Sequence, residues 1–309
     1  MKNSRISRVA TLVVAAGAIF SLAACSGNSN PLGGGGENDN TISIGSAAFA
    51  ENEIIAQIYA QALEAADVKV NFRGQIGQRE VYLAALQDGS LDIVPEYSGN
   101  LLQAFDQDST AKTPEAVVDA LHEALPKNLA VLEAAPAENK DSYNVTKEFA
   151  ESNALASLTD LKNLTEKFAV GGNPELATRP YGPEGLTAVY GVPADRMSFV
   201  PLSDSGGPLT VGALRDGTVQ VADIFSTTPA IAENGFITLT DPENLILPQA
   251  VIPLVSEKAN VDKVVSVLNA VSAKLTTEDL IELNTRNQGT EKAGAKKLAA
   301  DWLAAKKLN

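Results

Sequence analysis

The sequence predicts an α/β protein built from two similar lobes. Strand-like and helix-like stretches alternate from residue 41 onward, and one helix–glycine–strand unit recurs 128 residues further along the chain. The 309 residues also leave room for two lobes of about 100–150 residues each once the N-terminal leader is set aside.

The alternation is legible element by element. Thr41 to Gly45 alternates apolar and polar residues like a strand, and Glu51 to Ala66 carries Ile54, Ile55, Ile58 and Ala62 on one helical face. Val68 to Phe72 reads as a second strand, Arg79 to Asp88 as a helix stopped by Gly89, and Leu91 to Tyr97 as a third strand. Thr113 and Pro114 are a cap and a first position for the next helix. Further strands are expected at Phe168 to Gly171, Ser198 to Leu202, Val219 to Phe225 and Phe236 to Thr240, and helix from Val261 on. Such alternation implies mostly parallel sheets.

The repeat sets residues 84–97 (AALQDGSLDIVPEY) beside 212–225 (GALRDGTVQVADIF), so that Asp88-Gly89 matches Asp216-Gly217, Tyr97 matches Phe225, and Ser98 matches Ser226 as a helix cap. A weaker echo sets Ile42 to Ser46 beside Phe168 to Gly172. In open α/β sheets ligands sit at the carboxyl ends of strands, which is where Tyr97 and Phe225 fall, one in each half.

The N-terminus reads as a targeting segment. Met1 to Arg8 is basic, Val9 to Ala24 is uncharged and apolar, and Leu22-Ala23-Ala24-Cys25 has the spacing of a bacterial lipobox. Cys25 is the one cysteine of the chain, so it has no intramolecular disulfide partner and is expected to carry lipid. Residues 1–24 are then a lipoprotein signal peptide, and the glycine-rich residues 25–40 a flexible tether. The expected location is the extracytoplasmic face of the cell membrane.

Charge and composition exclude several functions. The net charge is −14, and the leader holds Lys2, Arg5 and Arg8 but no acid, so the remainder is more acidic still. Such a surface repels phosphate backbones, and no nucleic-acid partner is expected. Asp204-Ser205-Gly206-Gly207-Pro208 resembles a serine-protease nucleophile segment, but that chemistry needs a histidine base. The one histidine, His122, falls on a solvated helix face. A turn before a helix is the expected role of that segment. No catalytic residue, metal or cofactor is expected.

Four segments carry a family resemblance: TISIGSAAFAEN at 41–52, DIVPEYSGN at 92–100, PELATRPYGPEGL at 174–186 and VADIFSTTPAI at 221–231. In order and spacing they resemble the ABC-transporter substrate-binding proteins for osmoprotectants such as glycine betaine, carnitine and choline. The resemblance implies a type II periplasmic-binding-protein fold, with lobe 1 at 41–137 and 244–309, lobe 2 at 138–243, and a ligand cleft between them. It implies a small zwitterionic or cationic solute and a membrane permease as partners, and a monomer.

It also implies an aromatic cage around a methylated ammonium, which donates no N–H bonds and is held by ring faces at about 0.5–2 kcal/mol per ring. Tyr97 and Tyr143 match cage tyrosines, Phe225 stands where a third tyrosine is usual, and Gln249 stands at the fourth position without a ring. Asn52 replaces a frequent glutamine, Asn100 stands where threonine or aspartate helps to set ligand type, and Arg179 matches a residue that holds a carboxylate. Taken singly, each tyrosine reads equally as a packing residue, and Arg179 as a surface arginine. Arg179 with Asn100 favours a zwitterion carrying a carboxylate, whereas Gln249 with Asn100 equally suits an amino acid or ectoine. A sensor lipoprotein that keeps the fold without transporting is the remaining alternative.

Overall fold

A computed structural model describes residues 40–308; the leader, Cys25 and all but the last residue of the tether lie outside them. In chain order the first half contains β1 (Ile42–Ala47), α1 (Ala50–Ala65), β2 (Val70–Gly77), α2 (Arg79–Gln87), β3 (Ile93–Tyr97), α3 (Ser98–Phe105), α4 (Pro114–Ala124) and β4 (Leu129–Val131). Then follow β5 (Tyr143–Val145), α5 (Lys147–Asn153), β6 (Phe168–Gly172), α6 (Pro183–Tyr190), β7 (Met197–Pro201), α7 (Pro208–Arg215), β8 (Val221–Asp223), α8 (Ala230–Glu233) and β9 (Ile237–Thr238). The chain ends with β10 (Val251–Ser256), α9 (Asp262–Ser272), α10 (Thr277–Gln288) and α11 (Ala295–Lys306).

The strands form two five-stranded sheets, ordered β2-β1-β3-β10-β4 and β7-β6-β8-β5-β9. The orders are equivalent position by position. In each sheet three parallel strands are followed by one antiparallel strand, β10 or β5, that has crossed from the other half of the chain. The internal repeat is therefore real at the level of topology. Gly89 and Gly217 close α2 and α7 with φ of +79° and +75°, a conformation in which any side chain is strained. The next strand starts alike in both: Leu91 N donates to Ala85 O at 2.9 Å, and Val219 N to Ala213 O at 3.1 Å.

Burial explains why the first sheet is covered on both sides. α1 is buried on most of its circumference, packing Ile54, Ile55, Ile58, Tyr59 and Leu63 between β1 and the terminal helices α9 to α11. Each such side chain contributes about 1.5–3 kcal/mol of transfer free energy. The other face packs Leu83, Leu86, Val94, Leu101, Leu121 and Leu254 beneath α2, α3 and α4. The second sheet has its own core around Val145, Phe168, Val170, Leu186 and Val221.

Two sequence expectations are corrected. The strand expected at Val219 to Phe225 ends at Asp223, leaving Phe225 in the following loop. The two serines are not helix caps: Ser98 is the first residue of α3 and its hydroxyl donates to Pro248 O at 3.1 Å, while Ser226 accepts from Lys140 N at 2.9 Å and no helix starts before Ala230. In both cases the hydroxyl bonds to a segment that crosses between the sheets, and this outcompetes capping. Gly99 is obligatory there, because a Cβ would lie 2.5 Å from Pro248 O.

Candidate ligand-binding site

The carboxyl ends of the parallel strands of both sheets face one cavity of about 80 Å³. Tyr97 closes β3, Phe49 follows β1, Asp223 closes β8 and Asn173 follows β6. The cavity continues into a wider cleft of about 800 Å³ that shares Phe49, Gln78, Asn173, Ser205 and Phe225 with it. This is the ligand position that open α/β sheets favour.

Three rings form its aromatic wall. Phe49, in extended conformation at the N-cap of α1, stacks on Tyr97 with centroids 6.0 Å apart and meets Phe225 at 5.6 Å. The wall thus spans both halves of the molecule, as the repeat requires. Phe49 was not singled out in the sequence, although it lies two residues past the end of β1, as Phe225 lies two past the end of β8. Tyr82 and Tyr181 add two further buried rings to the lining.

The Tyr97 hydroxyl donates to Glu51 Oε1 at 2.7 Å. Glu51, 4% exposed, also accepts from Asn139 Nδ2 at 2.8 Å, Thr227 Oγ1 at 2.5 Å and Asn284 Nδ2 at 2.6 Å. Burial, and then the Glu51 charge, push the Tyr97 phenol well above its ordinary range, so it stays a neutral donor. A second buried carboxylate, Glu96, receives Arg79 through both oxygens at 2.8 and 3.0 Å and the Tyr82 hydroxyl at 2.7 Å.

The other sequence candidates divide into two groups. Asn100 and Arg179 line the cavity with Tyr97 and Phe225. Arg179 reaches Glu80 of α2 at 3.4 Å, and Asn100 donates to Asp141 at 2.9 Å. Tyr143, Asn52 and Gln249 are buried and do not line the cavity. Tyr143 donates from its hydroxyl to Tyr181 O at 2.7 Å. Asn52 accepts from Ala47 N and donates to Pro95 O, tying β1 to β3. Gln249 exchanges two hydrogen bonds with Asn100, accepting from its backbone N at 3.0 Å and donating to Oδ1 at 2.8 Å. Sequence reading missed Asp141 and Asp223, which line the cavity although almost fully buried.

Asp204-Ser205-Gly206-Gly207 forms the expected turn. Ser205 and Gly206 have φ of +56° and +69°, and Asp204 caps α7 by accepting from Leu209 N, Thr210 N and the Thr210 hydroxyl. Ser205 has no histidine beside it; His122 is exposed on α4.

A profile of the substrate-binding domain of ABC-type glycine betaine transport systems matches residues 40–305. The chain belongs to this family. Glycine betaine-binding protein YehZ of Escherichia coli K12 is 28% identical over 280 residues, spanning 86% of this chain and 90% of that one. The structure of apo YehZ superposes with a TM-score of 0.63, covering 88% of this chain and all of the other. A crystal structure of a glycine betaine/carnitine/choline ABC transporter protein, 20% identical, superposes with a TM-score of 0.69 over 86% of this chain and 99% of its own. As a member of the family the chain has the two-lobed periplasmic-binding-protein fold with the cleft between the lobes, and members are transport proteins that act outside the cytoplasm. Among the described residues no helix is long and apolar enough to cross a membrane.

Proposed function

We propose that the cleft captures a quaternary ammonium osmoprotectant, glycine betaine foremost, and presents it to a membrane permease. The arrangement of Phe49 between Tyr97 and Phe225 carries this reading. Three ring faces meeting at a mostly buried cavity offset the desolvation of a cation that cannot donate hydrogen bonds, at about 0.5–2 kcal/mol each. Arg179, released from Glu80, takes the ligand carboxylate, and Asn100 contributes a polar contact beside it. Tyr143, Asn52 and Gln249 act from behind, fixing Tyr181, the β1–β3 rim and Asn100. Lobe 1 is 41–137 with 244–309, lobe 2 is 138–243, and closure occurs about the crossing segments near Glu138 and Ala250. Cys25 anchors the chain by lipid, and Cys25→Ser is expected to release it from membranes.

A thermal-shift panel on the full-length chain tests the reading. Glycine betaine, carnitine or choline at about a hundred times its dissociation constant adds roughly 2.7 kcal/mol of stability. A second reading, an amino acid, is favoured by Asp141 and Asp223, whose carboxyls can accept N–H bonds. Stabilisation by amino acids alone overturns the first reading in favour of the second.

A further inference from the structure

Asp141 and Asp223 are the least expected residues of the cleft. Asp223 ends β8 directly opposite Tyr143 on β5, and Asp141 precedes Tyr143 by two residues, so the two carboxyls lie diagonally on one face. They are 8% and 4% exposed and both line the cavity. Their hydrogen-bond donors are neutral: Asn100 Nδ2 to Asp141 at 2.9 Å, and Ser142 N to Asp223 Oδ1 at 3.2 Å. Asp223 Oδ2 accepts nothing among the described residues. The charges around the pair do not balance it. Glu175, on the turn after β6, adds negative charge, neither Arg179 nor Arg79 forms an ion pair with Asp141 or Asp223 among the described residues, and Arg79 across the cleft is held by Glu96. Tyr143, Tyr181 and Tyr82 are kept neutral by burial. Burial first, and then the charge and hydrogen bond of Asp141, raise the Asp223 proton affinity well above the ordinary carboxylate range.

We propose that Asp141 and Asp223 are the specificity-determining residues that select a positively charged head group, the ligand's ammonium replacing a proton that Asp223 holds in the unliganded protein and releases to solvent. The idea rests on the quaternary-ammonium reading of the cleft. Ionising Asp223 beside Asp141 in a low-dielectric cavity is costly without a cation between or beside them, and the rings supply no net charge to offset this. A bound cation replaces the proton charge for charge. Ligand affinity then rises with pH until Asp223 has lost its proton in the free protein as well.

The test is titration calorimetry on the full-length chain with choline and with its neutral carbon isostere, a dimethylbutanol, across the weakly acidic to neutral range and in two buffers of different protonation enthalpy. Choline is expected to release up to about one proton, its affinity rising by up to about tenfold per pH unit. The isostere releases none. Asp223→Asn abolishes the release and lowers choline affinity at neutral pH by about tenfold or more, and Asp141→Asn does the same should the first variant fold poorly. Choline binding that is independent of pH, releases no proton and survives both substitutions within twofold overturns the proposal while leaving the cage reading intact. A folded protein that binds no quaternary ammonium ligand overturns both.

Discussion

The Tyr97 hydroxyl donates to Glu51 at 2.7 Å, while the Tyr97 ring stacks on Phe49, so one residue serves the cleft with its face and the protein interior with its oxygen. The two roles separate by mutation. Tyr97→Phe keeps the ring face and removes one of four donors to Glu51, which costs about 1–3 kcal/mol of stability and leaves affinity for a quaternary ligand nearly unchanged. Tyr97→Ala loses the face as well, and affinity falls by about 1–2 kcal/mol. Chemical denaturation reads the first effect and titration calorimetry the second. Equal affinity losses in both variants would show that the hydroxyl, not the ring, meets the ligand.

Phe49 touches both Tyr97 and Phe225, so its loss is expected to exceed that of either partner. Phe49→Ala should weaken glycine betaine binding by more than Phe225→Ala does, each by at least about 1 kcal/mol, with Phe49→Tyr largely restoring it. Calorimetry with the three variants ranks them. A Phe49→Ala protein that binds as tightly as the parent would remove the ring from the cage.

The fold was legible because its signals are local and repeated. Asp-Gly after a helix, then an apolar strand, is written twice, and the sheet orders match accordingly. The repeat also pointed to Tyr97 at the end of β3 and to Phe225, which lies two residues past the end of β8. What escaped were residues whose role depends on partners far away in sequence. Glu51 receives groups 46 and 233 residues distant, and Asn100 is fixed by Gln249 from 149 residues away. No pattern around Asp141 or Asp223 announces a buried pair, because the two meet only through the antiparallel pairing of β5 with β8. Tyr143 begins β5, a short strand that the alternation does not announce, and the fold turns its hydroxyl to Tyr181 O rather than into the cavity.

Arg179 has a weak partner, and that is what makes it available. Its 3.4 Å contact is to Glu80, whose side chain is 69% exposed, so the pair contributes little. Arg179→Ala is therefore expected to leave stability within about 1 kcal/mol of the parent and to weaken glycine betaine by about 1.5–3 kcal/mol, the scale of a charge-assisted hydrogen bond. Choline, which has no carboxylate, should be unaffected. Calorimetry with both ligands decides it: equal losses would mean that Arg179 shapes the cleft rather than holding a carboxylate.

Asp223 predicts a trade between stability and binding. Its proton affinity is raised on folding, so the folded state holds a proton that the unfolded chain has already released near the ordinary carboxylate value. The stabilisation is complete below that ordinary value and is lost as pH rises through the raised one. Over the same interval the cleft gains the negative charge that favours a cation. Asp223→Asn removes the titrating group but keeps a side chain able to bond to Asp141. Unliganded Asp223→Asn should therefore lose less stability than the parent as pH rises from acid towards neutral, and choline should stabilise it less. Urea denaturation at several pH values, with and without choline, measures both. A parent protein whose unliganded stability rises across that interval, by an amount that Asp223→Asn erases, would mean that Asp223 is already ionised and favourably paired in the folded state.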